Sequence, residues 1–471
     1  MAQRKRGRVA DERVTKTAER DAKRAAEELV QGLRARGIDR AKIGGFDVDG
    51  VLRGKYVSLD KLESALSKGF GFCDVIFGWD VADVLYDNAK VTGWHTGYPD
   101  AQAELDPSTL RNIPWEPGAV AMLADFRSAD GAAHPACPRS LLKRVIARAN
   151  ELGYTPMVGA EYEFYLFKET RDSLQEKAFQ RLTPLDPGMF GYSWVRSGQD
   201  SELMRDIMQS MRDFDIEIEG LHTETGPGVY EAAIRFDEAL KTADRAALFK
   251  VAMKQIAHRH GVAVTFMAKW HAGLPGSSGH LHQSLWQGDQ NAFVDPKSGG
   301  MSKLMQSYLA GQVALMPELT ALVSPTINSY KRYVPGVWAP LVASWGVENR
   351  TCPCRVIGIG QGSALRIEHR QPAADMNPYL ALAATLAAGL WGLEKGLALP
   401  PETRGDAGTD GAGRLPRSLR EATEKLGASK PARALLGEAF VDHYVRSREW
   451  EVRQYDIAVT DWELSRYFEV I

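Results

Sequence analysis

The segment Gly159-Ala160-Glu161-Tyr162-Glu163-Phe164-Tyr165-Leu166-Phe167 constrains the chain more than any other stretch. Its aromatic and β-branched character predicts a strand. Side chains on a strand alternate faces, so Glu161 and Glu163 point one way, and Ala160, Tyr162, Phe164 and Leu166 the other. Two like charges roughly 7 Å apart on one face repel. Either the strand is a solvated edge, or a divalent cation, which favours carboxylate oxygens, cancels the repulsion.

The rest of the chain narrows the choice. With 471 residues, 44% hydrophobic and 25% charged, it has ample core for two or more domains. A net charge of −2 argues against a chain-wide nucleic-acid or membrane role. Cys73, Cys137, Cys352 and Cys354 are too scattered for a disulfide framework, and no apolar stretch follows the basic N-terminus. The apolar run Tyr379 to Leu393 is shorter than the ~20 residues of a membrane span. These features predict a cytoplasmic, reducing location, with no nucleic-acid or membrane partner.

Residues 1–20, with Arg4, Lys5, Arg6 and Arg8, read as a disordered basic arm. Residues 21–135 read as a helix to Arg36 and a small domain that opens with a hairpin turning at Asp49-Gly50. A boundary at Pro135 to Pro138 leaves 136–471 as the larger domain. Its strands are expected near 215–220, 230–236, 262–269, 280–286, 354–357 and 364–369, and its helices over 201–214, 242–260, 303–316 and from Asn377. The mixture lacks regular βαβ alternation, so the fold class is α+β.

The pattern of the first strand recurs. His280, His282 and Ser284 share one face of a strand, as do Arg366, Glu368 and Arg370. Glu224 and Glu231 bracket Thr225-Gly226-Pro227-Gly228, a turn that returns both carboxylates to one place. A lone histidine on a strand is ordinarily a satisfied polar residue. Four charged faces with apolar backs are harder to attribute to coincidence.

These motifs, in this order, resemble the signature of the glutamine synthetase family. They are Gly159-x-Glu161-x-Glu163-Phe164, Glu224-x6-Glu231, Gly276-x3-His280-x-His282-x-Ser284, Asn328-Ser329-Tyr330-Lys331-Arg332 with Val334-Pro335-Gly336, Asn349-Arg350-x4-Arg355, and Glu368-x-Arg370 before Asn377-Pro378-Tyr379-Leu380. The resemblance covers about residues 40–471. It implies a small N-terminal β-grasp domain and a large catalytic domain whose antiparallel sheet lines a funnel. It also implies two or more Mg²⁺ or Mn²⁺ ions per site, ATP as co-substrate, and a homo-oligomer of stacked rings, a dodecamer, in which a neighbour's N-terminal domain completes each site. By matched motif, Glu163, Glu224 and Glu231 hold one metal, and Glu161, His280 and Glu368 another. Glu219, His282, Ser284 and Arg355 fall at the ATP contacts. Gly276, Arg332, Arg350 and Arg370 fall at the glutamate contacts, and Arg350 and Arg355 at the catalytic, phosphate-facing positions. Physical chemistry agrees with such roles, because joining a carboxylate to ATP brings two polyanions together and requires cations. No GxxxxGK[ST] phosphate loop is present.

The chain departs from the family's ammonia-using pattern in four places. The flap position that carries a Glu there is Trp338 here. The Asp-Gly-Ser-Ser stretch of the ammonium site has no match nearer than Phe77-Gly78-Trp79-Asp80. The segment Thr403 to Arg414 has no Tyr at which the family is adenylylated, and a nucleotide-contacting Lys falls on Ser363. ATP activation is kept while the ammonium machinery is altered. The expected activity is therefore a glutamate–amine ligase, with Trp338 in the amine pocket; glutamine synthetase using ammonia is the alternative, and a non-enzymatic homologue would be expected to have lost metal ligands.

Overall fold

The computed structural model describes residues 20–408 and 413–471; the expected arm at 1–20 lies, but for its last residue, outside the described residues. A helix over 20–35 leads into a six-stranded sheet. Its strands are β1 (Arg40–Phe46), β2 (Leu52–Ser58), β3 (Phe70–Cys73), β4 (Asp100–Leu105), β5 (Arg111–Asn112) and β6 (Ala119–Arg127), in the order β2-β1-β6-β4-β3 with β5 on β6. The hairpin β1–β2 turns where expected: Gly50 has φ 78°, which suits glycine, and its N–H donates to the Asp47 carbonyl.

The second sheet has nine strands: β7 (Thr155–Phe167), β8 (Ile218–Thr223), β9 (Val229–Glu238), β10 (Ala263–Thr265), β11 (Gly279–Gln287), β12 (Gln290–Asn291), β13 (Trp345–Val347), β14 (Cys354–Ile357) and β15 (Arg366–His369). The order is β13-β14-β15-β11-β7-β9-β8, antiparallel throughout that path except β13–β14. Of the two alternatives for β7, the solvated edge fails, because the strand is paired on both sides. Ala160, Tyr162, Phe164 and Leu166 are buried against the helix Ala239–Arg259, Tyr162 stacking on Phe249 at 5.9 Å. Burying each large side chain contributes about 1.5–3 kcal/mol and fixes which face of β7 meets the core.

Several element boundaries differ from the sequence expectation, three of them by a clear physical cause or by several residues. The strand expected from Asp215 begins at Ile218, because Asp215 turns with φ 61° at the end of helix Ser201–Asp213. The strand expected over 262–269 keeps only Ala263–Thr265. The helix expected to stop before Pro317 continues through it to Val323, packed along helix Pro378–Lys395. Proline removes one helical hydrogen bond, and here tertiary packing outweighs that loss.

One buried guanidinium joins the two sheets' surroundings. Arg139 grips Asp244 through Nε (2.8 Å) and Nη2 (2.9 Å), Asp125 through Nη1 (3.0 Å) and Asp106 through Nη2 (2.8 Å). Asp106 and Asp125 belong to the first sheet's side and Asp244 to the helix behind β7. Removing this charge leaves three carboxylates without their shared cation. Arg139→Met is expected to cost about 3–5 kcal/mol of stability, read as a lower denaturant midpoint, with Arg139→Lys falling between it and wild type.

Candidate active site

The register of β7 assembles the site. Glu161 lies opposite His280 on β11, and Glu163 opposite Glu231 on β9. His282 lies opposite Glu368 on β15, which in turn lies opposite Arg355 on β14. Beyond β9, Glu231 faces His222 on β8. The turn between β8 and β9 closes with the Glu224 N–H donating to the Val229 carbonyl, and Gly228 takes φ 71° there. Glu224 therefore folds back beside Glu231.

Contacts follow the register. His280 Nδ1 lies 3.5 Å from Glu161 Oε2 and 3.3 Å from Glu368 Oε1. His282 Nε2 lies 3.1 Å from Glu161 Oε1. Arg366 Nε donates to His282 Nδ1 at 3.0 Å. Burial alone would raise the Glu161 carboxyl, but the hydrogen bonds of His280 and His282 outweigh it and hold it far below the usual carboxylate range. Glu368 is likewise buried, yet is held at about 2 by the charges of His280, Arg370 and His282.

The other side of the cluster is balanced differently. Burial pushes the Glu231 carboxyl up, and the hydrogen bond with His222 only partly offsets this. Glu163 is also pushed up by burial, although the Ser278 N–H donates to it and Arg332 attracts it. His222 Nε2 sits 3.3 Å from Glu231 Oε1 and its Nδ1 3.8 Å from Glu224 Oε1. Three donor sets therefore bring their ligand atoms within 4.8 Å of one another: Glu161/His282/Glu368, Glu161/Glu231/His280 and His222/Glu224/Glu231. Glu163 stands beside these sets in register with Glu231 but is in none of them. Carboxylates crowded and desolvated in this way, with few imidazoles and no thiolate, fit Mg²⁺ or Mn²⁺ better than zinc.

Two residues of this cluster carried no expectation from the sequence. His222 precedes Glu224 by two residues, the same alternation that marks Glu161 and Glu163, and that spacing could have revealed it. Tyr192 stacks on the His222 ring at 4.4 Å, and its hydroxyl is pushed up to about 12 by burial and by Glu224 and Glu231. No local pattern marks Tyr192, since it comes from a turn remote in sequence.

The arginines separate into held and open groups. Arg355 Nη1 binds Glu368 Oε2 at 3.0 Å and its Nη2 binds Glu348, while its buried Nε has no hydrogen-bond partner. Arg370 binds Glu368 through Nη1 and the Arg350 carbonyl through Nε at 3.2 Å. Arg332 is buried with Nη1 on the Gln371 carbonyl (2.9 Å) and Nη2 on the Arg370 carbonyl (3.0 Å), so each terminal nitrogen gives one of its two N–H groups to the backbone. It packs on Gly276, where an added Cβ would meet Arg332 Cγ at 2.7 Å and the Ala268 carbonyl oxygen at 2.6 Å. Arg350 is exposed, and among the described residues its side chain makes no ion pair or hydrogen bond. Trp338 is 72% exposed, so it does not pack the flap.

Beside Glu161 a cavity of about 400 Å³ opens between β7, β9, β11 and β15. Glu219, His282, Ser284 and Arg366 supply its polar groups, and Phe236 and Trp286 its aromatic faces. It brings together three of the four residues expected at a nucleotide; the fourth, Arg355, lies beyond Glu368. Ser363 also lines it, where the family places a lysine.

This geometry has close counterparts among known proteins. The family model for the glutamine synthetase catalytic domain matches residues 135–467. A type-1 glutamine synthetase 2 from Dictyostelium discoideum is 49% identical over 438 residues, covering 91% of this chain and 84% of that one. A glutamate–isopropylamine ligase from a Pseudomonas species is 39% identical over 440 residues, covering 92% and 96%. A solved structure described as a GmaS/ADP complex superposes with a TM-score of 0.81 at 29% identity, covering 93% of this chain and 99% of that one. The carboxylate cluster is testable without turnover. Glu231→Ala, which touches two of the three donor sets, is expected to lose about one Mn²⁺ per chain. Electron paramagnetic resonance of free Mn²⁺ measures this; unchanged stoichiometry and affinity would remove Glu231 from the ligand set.

Proposed function

The chain belongs to the glutamine synthetase family, and from that premise we propose that it is an ATP-dependent glutamate–amine ligase. In the proposed reaction a γ-carboxylate oxygen of glutamate takes the γ-phosphoryl of ATP, releasing ADP. The nitrogen of an organic amine then attacks the acyl carbon, phosphate leaves, and the amine gives up one proton. The product is a γ-glutamyl amide.

The observation that carries this reading is Trp338, an indole standing 72% exposed in the flap, where ammonia users have a carboxylate. A carboxylate there accepts a proton from ammonium and closes over a very small nucleophile. An indole does neither, but it offers an apolar face that covers a carbon skeleton and attracts a cationic amine by about 0.5–2 kcal/mol. Tyr192, stacked on His222 beside Glu224, adds a second aromatic group near the carboxylates.

The remaining residues take roles consistent with their placement. Glu163, Glu224, Glu231 and His222 would hold one divalent ion, and Glu161, His280 and Glu368 another. Bound there, such ions neutralise phosphate oxygens as the phosphoryl group moves. The cavity flanked by Phe236 and Trp286 accepts the adenine ring, and Glu219, His282 and Ser284 orient the nucleotide. Arg332, Arg370 and the backbone at Gly276 form the wall for the glutamate carboxylate; Arg332 has Nε and one N–H group on each terminal nitrogen left to donate. Arg350 and Arg355 face the phosphoryl group. The stacked-ring assembly belongs to the same reading, and native mass measurement of the purified chain checks it.

The second reading, glutamine synthetase, is favoured by the name of the 49% identical relative. A panel of amines separates the two. With ATP, Mg²⁺ and glutamate, kcat/KM for an alkyl-, aryl- or polyamine is expected to exceed that for ammonium by more than about tenfold, the scale of a single methylene in an apolar pocket. Trp338→Glu is expected to shift that ratio toward ammonium. Ammonium as the best nucleophile of the wild type would replace this reading with glutamine synthetase. Arg350→Ala is expected to lower kcat by about 10²-fold, the scale of one preorganised electrostatic donor. A change confined to KM would instead make Arg350 a ground-state glutamate contact.

A further inference from the structure

Behind the catalytic sheet lies a second, open cavity of about 600 Å³, lined by the hairpin β1–β2, strands β5 and β6, and the helix Ala239–Arg259. Its volume is in the range of small-molecule sites. Gly44 and Gly54 pair across the hairpin and leave part of the floor without side chains. Trp115, Met122, Phe214, Leu248 and Val251 make the walls apolar. The indole is held in place: Trp115 Nε1 donates to Gln255 Oε1 at 2.7 Å and its ring rests on Phe214 at 4.8 Å.

The charges in this cavity are one-sided. Lys42 pairs with Glu116, and Asp49, the only carboxylate in the lining among the described residues, is taken by Arg448. Four other cations of the lining have no carboxylate partner among the described residues, and one of them, Lys55, lies over the Phe70 and Phe72 rings. Arg111 donates through Nε to the Thr109 carbonyl at 3.0 Å. Lys250 donates to the carbonyls of Ala374 (2.9 Å) and Met376 (3.0 Å). Lys254 makes no hydrogen bond or ion pair among the described residues. Burial lowers the pKa of Arg111, Lys250 and Lys254, although Lys254 keeps much of its side chain open to solvent.

We propose that this cavity binds an amphiphilic organic anion, its apolar body against Trp115 and Phe214 and its acidic group at Lys254, with Lys250 and Arg111 adding attraction. A neutral apolar ligand would leave Lys254 desolvated and uncompensated, and a bare inorganic anion would leave the aromatic walls unused. The site is separate from the proposed chemistry, since it meets β7 from the apolar face: Lys250 Nζ stands 5.8 Å from the ring centroid of Tyr162.

The test uses the full-length assembled protein and 1-anilinonaphthalene-8-sulfonate, an aromatic anion whose fluorescence reports apolar binding. Its uncharged relative N-phenyl-1-naphthylamine is the control. The sulfonate is expected to bind wild type with about one site per chain and more tightly than the neutral probe. Lys254→Gln should weaken it and Lys254→Glu should weaken it further, by about tenfold or more in Kd, which is about 1.4 kcal/mol. Neutral-probe affinity and amide-forming activity without probe should stay within about twofold in both variants, because Lys254 touches no proposed catalytic group and the fold is retained. The proposal is overturned if wild type does not bind the sulfonate, if the neutral probe binds equally well, or if both Lys254 variants bind the sulfonate like wild type.

Discussion

The site depends on holding like charges together on one face of a paired strand. Glu161 and Glu163 have neighbours on both sides of β7, and the register sets Glu231 and His280 directly against them. Such crowding is unfavourable by itself, so something must hold β7 in place. The apolar back does this: Tyr162 and Phe164 lock against Phe249 and Phe266. A slip of one residue would turn both glutamates into that core and both aromatics into the cleft. Core packing thus sustains a charge arrangement that electrostatics alone would disperse.

The cleft is divided electrostatically. On the β11–β15 side, histidines and arginines surround Glu161 and Glu368 and keep them ionised. On the β8–β9 side, His222 lies beside Glu224 and Glu231, neither carboxylate has a lysine or arginine ion pair among the described residues, and burial pushes Glu231 upward. The first side is the more strongly balanced by protein cations and the second the less. Arg350, exposed and without an ion pair or side-chain hydrogen bond among the described residues, stands as a positive group beside them.

Ion pairs join the shared apolar core in attaching the first sheet to this framework. Arg139 gathers Asp106, Asp125 and Asp244, and Arg448 holds Asp49 at the hairpin turn. Asn377, which caps helix Pro378–Lys395, also donates to the Asp47 and Val48 carbonyls. These directional contacts fix where the hairpin stands over helix Ala239–Arg259, leaving a cavity rather than a sealed interface.

Periodicity in the sequence determined the acidic face of β7, the faces of β11 and β15, and the turn that joins Glu224 to Glu231. Alternation is a local property of the extended backbone, so two residues of spacing suffice to read it. The same rule could have supplied His222. Other features are not local. Pro317 reads as a stop, but the helix passes through it because packing against Pro378–Lys395 stabilises what propensity opposes. The sequence could not show that Arg332 gives both terminal nitrogens to backbone carbonyls, or that Trp338 stands in solvent. Nor could it bring Tyr192 onto His222, or collect Arg111, Lys250 and Lys254 around one cavity. Short-range order fixed which residues share a face; only the tertiary fold decided which faces meet, because those contacts join segments tens to hundreds of residues apart and depend on burial that no local pattern encodes.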